Sequence, residues 1–142
     1  MEAIKKKEIL EKCNSYSKNT LMETLDIRFV DVSEDYLKAQ MPVNSKVHQP
    51  DGILHGGATL ALAETVGSLA AFVFIDLDKF FVRGLEISAN HLKSVKSGFV
   101  YATASAIHKG RTTQLWQIKV EDDKGNLISL AKFTTISLPT TT

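Results

Sequence analysis

A single acid stands inside the most apolar stretch of this 142-residue sequence. From Ala58 to Ile75 the chain has neither proline nor a β-branched run, and Ala and Leu recur, which predicts a helix of roughly five turns. Leu60, Leu62, Val66, Leu69, Phe72, Val73, Phe74 and Ile75, with the alanines between them, occupy every side of the wheel. A helix of that kind is expected to be wrapped by other structure. Glu64 is its only charge, and no Lys, Arg or His lies within two turns of it. Burying an unpaired carboxylate costs several kcal/mol, so Glu64 must be neutralised, hydrogen-bonded or chemically used. Desolvation would favour its protonated form, the direction wanted in a general base near neutral pH. Ser68, four residues on, projects from the same face. The plain alternative is an ion pair with a lysine from elsewhere in the fold.

Ahead of this helix stand Gly52, His55, Gly56 and Gly57. Glycines there let the backbone bend and a ligand approach, while the first helical amides point outward without partners. Such amides favour a carbonyl oxygen gaining negative charge. The competing reading is a turn whose His55 merely caps the helix.

Positioning these groups requires a scaffold, and the remaining sequence supplies one. Residues 1 to 17 alternate charge with Ile4, Ile9 and Leu10, a short surface helix. A second helix is expected after Asn19, with Asn19 capping Leu21 and Met22. Ile27 to Val32 and Tyr36 to Val43 read as an antiparallel hairpin. Beyond a polar break at Asp76 to Lys79, Leu85, Ile87, Ala89 and His91 alternate with Glu86, Ser88 and Asn90. Val100, Ala102, Ala104 and Ala106 form a second alternating set, and Trp116, Ile118 and Val120 a third. Asp122 to Gly125 make a turn into a last strand ending near Ser137. The sum is α+β: one antiparallel sheet curled around one long apolar helix, in a single domain over residues 1–142.

Composition narrows the partners. With 17 basic and 16 acidic residues the net charge is +1, leaving no electrostatic footprint for nucleic acid or an anionic membrane. Cys13 is the only cysteine, so no intrachain disulfide and no cysteine-based metal site can form. No signal-peptide pattern opens the chain, and the longest apolar run, ending before Asp76, is expected to fall short of a membrane span. The expected location is the cytoplasm.

The run from Gln49 through Gly57, followed by Glu64 and Ser68, resembles the hotdog-fold acyl-CoA thioesterases over nearly the whole chain. Gly84 to His91 and Gly110 to Gln117 are similar to the branch that hydrolyses aromatic acyl-CoA thioesters, with the 1,4-dihydroxy-2-naphthoyl-CoA thioesterases of menaquinone biosynthesis the nearest match. The phenylacetyl-CoA thioesterases usually carry Asp where this chain has Glu64. The resemblance implies Glu64 as base or nucleophile, Gly56 as oxyanion donor braced by His55, Gln49 donating nearby, and Ser68 orienting water or Glu64. It implies that His91 lines the acyl pocket, and that Lys93, Lys96, Lys109, Arg111, Thr112 and Thr113 hold coenzyme A, which enters as substrate. No cofactor and no metal are implied. Homodimers with a continuous sheet, paired into homotetramers, are implied, with the oxyanion turn and the acid coming from different subunits. A broad acyl-CoA hydrolase and a non-catalytic acyl-CoA binder are the competing functions.

Overall fold

Helix α1 (Ala3–Ser15) lies on the surface, with Cys13 its buried residue, and short α2 (Leu21–Thr24) follows. Thr20 rather than Asn19 caps α2: its Oγ1 accepts from the Met22 amide at 3.2 Å. Asn19 is in the left-handed region at φ 60°, and its own amide donates to Glu23 Oε2. Asparagine tolerates that conformation, which turns the chain before the helix begins.

Strands β1 (Arg28–Val32) and β2 (Tyr36–Pro42) form the expected hairpin. Helix α3 (Gly56–Phe74) comes next, then β3 (Phe80–His91), β4 (Phe99–Lys109), β5 (Thr113–Asp122) and β6 (Leu127–Pro139). The computed structural model describes residues 1–141, and its strands form one sheet in the order β1-β2-β4-β5-β6-β3, antiparallel throughout. This is the hotdog arrangement, with α3 lying across the sheet.

Alternation places Val100, Ala102, Ala104, Trp116, Ile118 and Val120 under α3, all fully buried. The alanines leave room for Leu62 and Val66 of the helix to press on the sheet. Phe133 of β6 fills the space between Gly67 of the helix and Gly84 of β3. A Cβ on Gly67 would come within 2.6 Å of its Cδ1, and one on Gly84 within 2.7 Å of its Cζ. Both glycines are therefore required by space. Gly67→Ala should cost about 1–3 kcal/mol, read as a lower urea midpoint at unchanged slope.

The helix is wrapped on one side only. Thr59, Leu62, Ala63, Val66, Gly67, Leu69, Ala70 and Ala71 are buried, whereas Gly57, Glu64 and Phe72 are exposed and Ala61 and Ser68 half-buried on the opposite stripe. One curved sheet cannot cover a whole cylinder, so an all-round apolar helix keeps a bare face. Against the expected shortfall, α3, at 19 residues and mean hydropathy 1.5, is long and apolar enough to cross a bilayer. Its packing on the sheet accounts for the apolarity of the buried face.

Beneath the C-terminal end of α3 runs a buried polar chain absent from the sequence reading. Trp116 Nε1 donates to Thr135 Oγ1 at 2.9 Å, Thr135 Oγ1 to Gln114 Oε1 at 2.8 Å, and Gln114 Nε2 to Ser137 Oγ at 2.9 Å. Ser137 Oγ then reaches the Thr112 carbonyl at 3.3 Å. Every member is satisfied, so the chain anchors the Gly110–Thr113 loop to the core without leaving a polar group stranded.

Candidate active site

The N-terminus of α3 is built by the loop before it. The His55 amide donates to the Val47 carbonyl, and His48 Nε2 meets the Lys96 carbonyl at 2.8 Å, tying the turn to the β3–β4 connection. His48 thus has a structural task. His55 is the helix cap: its Nδ1 accepts from the Gly57 amide at 2.8 Å. The amides of Ala58 and Thr59 both donate to the His55 carbonyl. Among the described residues this leaves the Gly56 amide, first of the helix, without a hydrogen bond. Capping and oxyanion binding are therefore compatible, because the cap takes one amide and frees its neighbour.

Gly56 opens onto a cleft of about 290 Å³ lined also by Gln49, Ile53, Leu54, Thr59, His91, Leu92, Lys93, Ser94 and Ile128. Its walls are mixed, with Ile53, Leu54, Leu92 and Ile128 apolar and Gln49, Thr59, His91, Lys93 and Ser94 polar, so it can take an apolar group and fix its orientation. His91 stands directly against the turn, since a Cβ on Gly56 would come within 2.9 Å of His91 Nε2. Glycine at 56 is needed for that close approach. Of the residues expected to act, the structure thus gathers Gln49, Gly56, His91 and Lys93, with His55 behind them.

Glu64 is elsewhere. It is eight residues from Gly56, about 12 Å along the helix axis, on the exposed stripe, where its Oε1 faces Gly84 of β3. The expectation of a buried acid fails in the single chain, because the face bearing it is the one the sheet leaves bare. Ser68 shares that face, yet no hydrogen bond joins it to Glu64 among the described residues. The alternative, an ion pair with a lysine, is also missing from the ion pairs of the described residues.

The family model described as Thioesterase superfamily matches residues 51–129, more than half of the chain, including the His55–Gly57 turn, Glu64 and every cleft-lining residue but Gln49. The chain belongs to the thioesterase superfamily. The 1,4-dihydroxy-2-naphthoyl-CoA hydrolase of Escherichia coli is 41% identical over 134 residues, covering 94% of this chain and 98% of that protein. The proofreading thioesterase EntH of Cronobacter turicensis is 41% identical over 126 residues, covering 89% and 91%. Among solved structures, the mutant thioesterase PA1618 from Pseudomonas aeruginosa matches with a TM-score of 0.90 at 43% identity, over 92% of this chain and 94% of that one.

In this thioesterase the expected coenzyme A contacts divide between the two ends of α3. Lys93 lines the cleft at the N-terminal end and lies close enough to Asp122 to help hold that carboxyl low, after the hydrogen bond from Asn126. Lys109 Nζ lies 5.0 Å above the Phe74 ring at the C-terminal end, and the exposed Arg111, Thr112 and Thr113 follow it there. One chain cannot bring both groups to one cleft, since α3 is about 27 Å long. Thr59, Leu92, Ser94 and Ile128 were not foreseen, because they reach the cleft only through the helix turn and the β3–β6 pairing. No three His, Cys, Asp or Glu side chains converge on a metal-sized site among the described residues.

Cys13 is 3% exposed, and burial pushes its thiol up to about 11. The folded thioesterase should therefore leave a disulfide dye unreacted near neutral pH and release one thiol equivalent only on denaturation. A dye-based assay of freed coenzyme A then carries no background from the protein.

Proposed function

We propose that this thioesterase hydrolyses aromatic acyl-CoA esters, 1,4-dihydroxy-2-naphthoyl-CoA foremost, in the cytoplasm and without a cofactor, at sites each shared by two subunits. The observation that carries the reading is the separation within one chain: among the described residues, an unbonded helix-start amide in a cleft of mixed polarity, and an acid without an ion pair on a bare helix face two turns away. The names of the E. coli and C. turicensis relatives favour thioester chemistry and the former favours this substrate.

The two sheet edges favour one mode of pairing. At β1 the edge is blocked: Asn14 Nδ2 donates to the Phe29 carbonyl at 3.0 Å and the Phe29 amide to Asn14 Oδ1 at 2.8 Å, and a bulge follows at Phe29/Asp31. The outer edge of β3 runs 12 residues with no strand beyond it among the described residues; its bulge at Gly84/Glu86 leaves Leu85 57% exposed beside the Glu64 stripe. Long open edges of this kind pair with another chain unless defended. Isologous pairing of β3 with β3 would carry the Glu64 of one protomer toward the cleft of the other. Homotetramers would follow from stacking of such dimers.

In that site Gly56 and Gln49 hold the thioester carbonyl as charge builds on its oxygen. Glu64 activates water or attacks the carbonyl, with Ser68 orienting one or the other. The coenzyme A tail is held by Lys93 at the cleft and by Arg111, Thr112 and Thr113 from another subunit. Thiol release should be fastest with 1,4-dihydroxy-2-naphthoyl-CoA among a panel of benzoyl, phenylacetyl and medium-chain esters. Equal rates across the panel would instead make it a broad hydrolase, and ligand binding without any release a non-catalytic binder.

A further inference from the structure

The reaction so described does not use what lies behind His91. The β3–β6 register sets His91 opposite Ser129, which is 0% exposed. Ser129 Oγ is 3.0 Å from His91 Nδ1 and 3.1 Å from the Asn90 carbonyl oxygen. A serine hydroxyl has one proton, and a carbonyl can only accept. When Ser129 donates to Asn90, its oxygen accepts from the imidazole, both contacts are hydrogen bonds, and Nδ1 carries the hydrogen. When it donates to Nδ1 instead, Oγ and the carbonyl face each other as bare acceptors at 3.1 Å. The first arrangement is the lower in energy by a buried hydrogen bond. A neutral imidazole has a single N–H, so Nε2, on the side of Gly56 and the cleft, is left with its lone pair.

We propose that Ser129 is a positioning residue: facing His91 across the β3–β6 pair, it holds that imidazole as the Nδ1–H tautomer, so that the cleft offers the Nε2 lone pair and selects acyl groups bearing a hydroxyl donor. Selection of the acyl group rests on the function proposed above, whereas the tautomer does not. An acceptor at this point favours a phenolic or naphtholic hydroxyl over a bare ring, and it is wasted on an unsubstituted benzoyl or an aliphatic chain.

The test has two readouts on the full chain. Nitrogen-15 spectra of histidine-labelled protein at mildly alkaline pH, with His91 assigned by its loss in His91→Gln, should show a protonated Nδ1 and an unprotonated Nε2. Ser129→Ala should return His91 to the Nε2–H form that free side chains prefer. An Nε2–H tautomer in the wild type, or one unchanged by Ser129→Ala, overturns the proposal. In parallel, kcat/KM is compared for the three monohydroxybenzoyl-CoA isomers and benzoyl-CoA. The wild type should prefer at least one hydroxylated ester by about tenfold, the worth of one added hydrogen bond, and Ser129→Ala should lose most of that preference. A preference untouched by the substitution overturns the selection. If no ester is hydrolysed at all, the proposed function fails, while the spectra still decide the tautomer.

Discussion

Glu64→Ala should lower kcat for the best acyl-CoA by about 10²–10⁴-fold, the range over which a positioned acid or base acts, and leave the fold intact. Both halves follow from where the residue is. Among the described residues of the single chain Glu64 is exposed, makes no ion pair and caps nothing, so its removal opens no cavity and strands no partner there. Exposed substitutions of that kind change stability by no more than about 0.5 kcal/mol. Thiol release and a thermal melt, run on one sample, check the pair of expectations. Glu64→Gln keeps the shape and removes the charge, and it should be as inactive as Glu64→Ala. A variant that melts like the parent and still turns over at a tenth of its rate or better would remove Glu64 from the chemistry. One that melts far below the parent would mean that the acid has a structural partner in the assembly.

The sequence made the scaffold readable where one period governed the packing. Val100, Ala102 and Ala104 and then Trp116, Ile118 and Val120 alternate cleanly, and each lies under α3 as alternation requires. It misled at Glu64 because a hydropathy pattern reports how much surface a helix must bury without saying whether its own chain does the burying. The same limit hid Leu85, which alternates with its neighbours yet is exposed where the bulge between Gly84 and Glu86 shifts the register. Register was the second blind spot. Ser129 reaches His91 and Ser137 reaches Gln114 across 38 and 23 residues, and nothing local marks those serines as inward-facing. By contrast the His55–Gly56–Gly57 turn was legible, since helix-end amides follow from chain order alone. What chain order could not tell was that His55 takes the Gly57 amide and leaves that of Gly56 free.

Two inactive variants should restore activity to each other. Gln49 lines the cleft and Glu64 stands on the bare face of α3, so a site shared between protomers draws one residue from each. On the proposed function Glu64→Ala alone should damage every site, and so should Gln49→Ala, which removes the proposed oxyanion donor at a cost of about 10²–10³-fold. When the two are dissociated in mild denaturant, mixed in equal amounts and refolded, half of the dimers are mixed. Each mixed dimer holds one site with both lesions and one with neither, so about a quarter of wild-type activity should return. Thiol release before and after mixing measures it, and a size-exclusion profile confirms that dimers have re-formed. A site contained within one chain predicts no recovery, because every chain in the mixture carries a lesion. Recovery therefore tests the geometry separately from the chemistry: it depends on the open edge of β3 bringing two chains together, whichever acyl-CoA is hydrolysed.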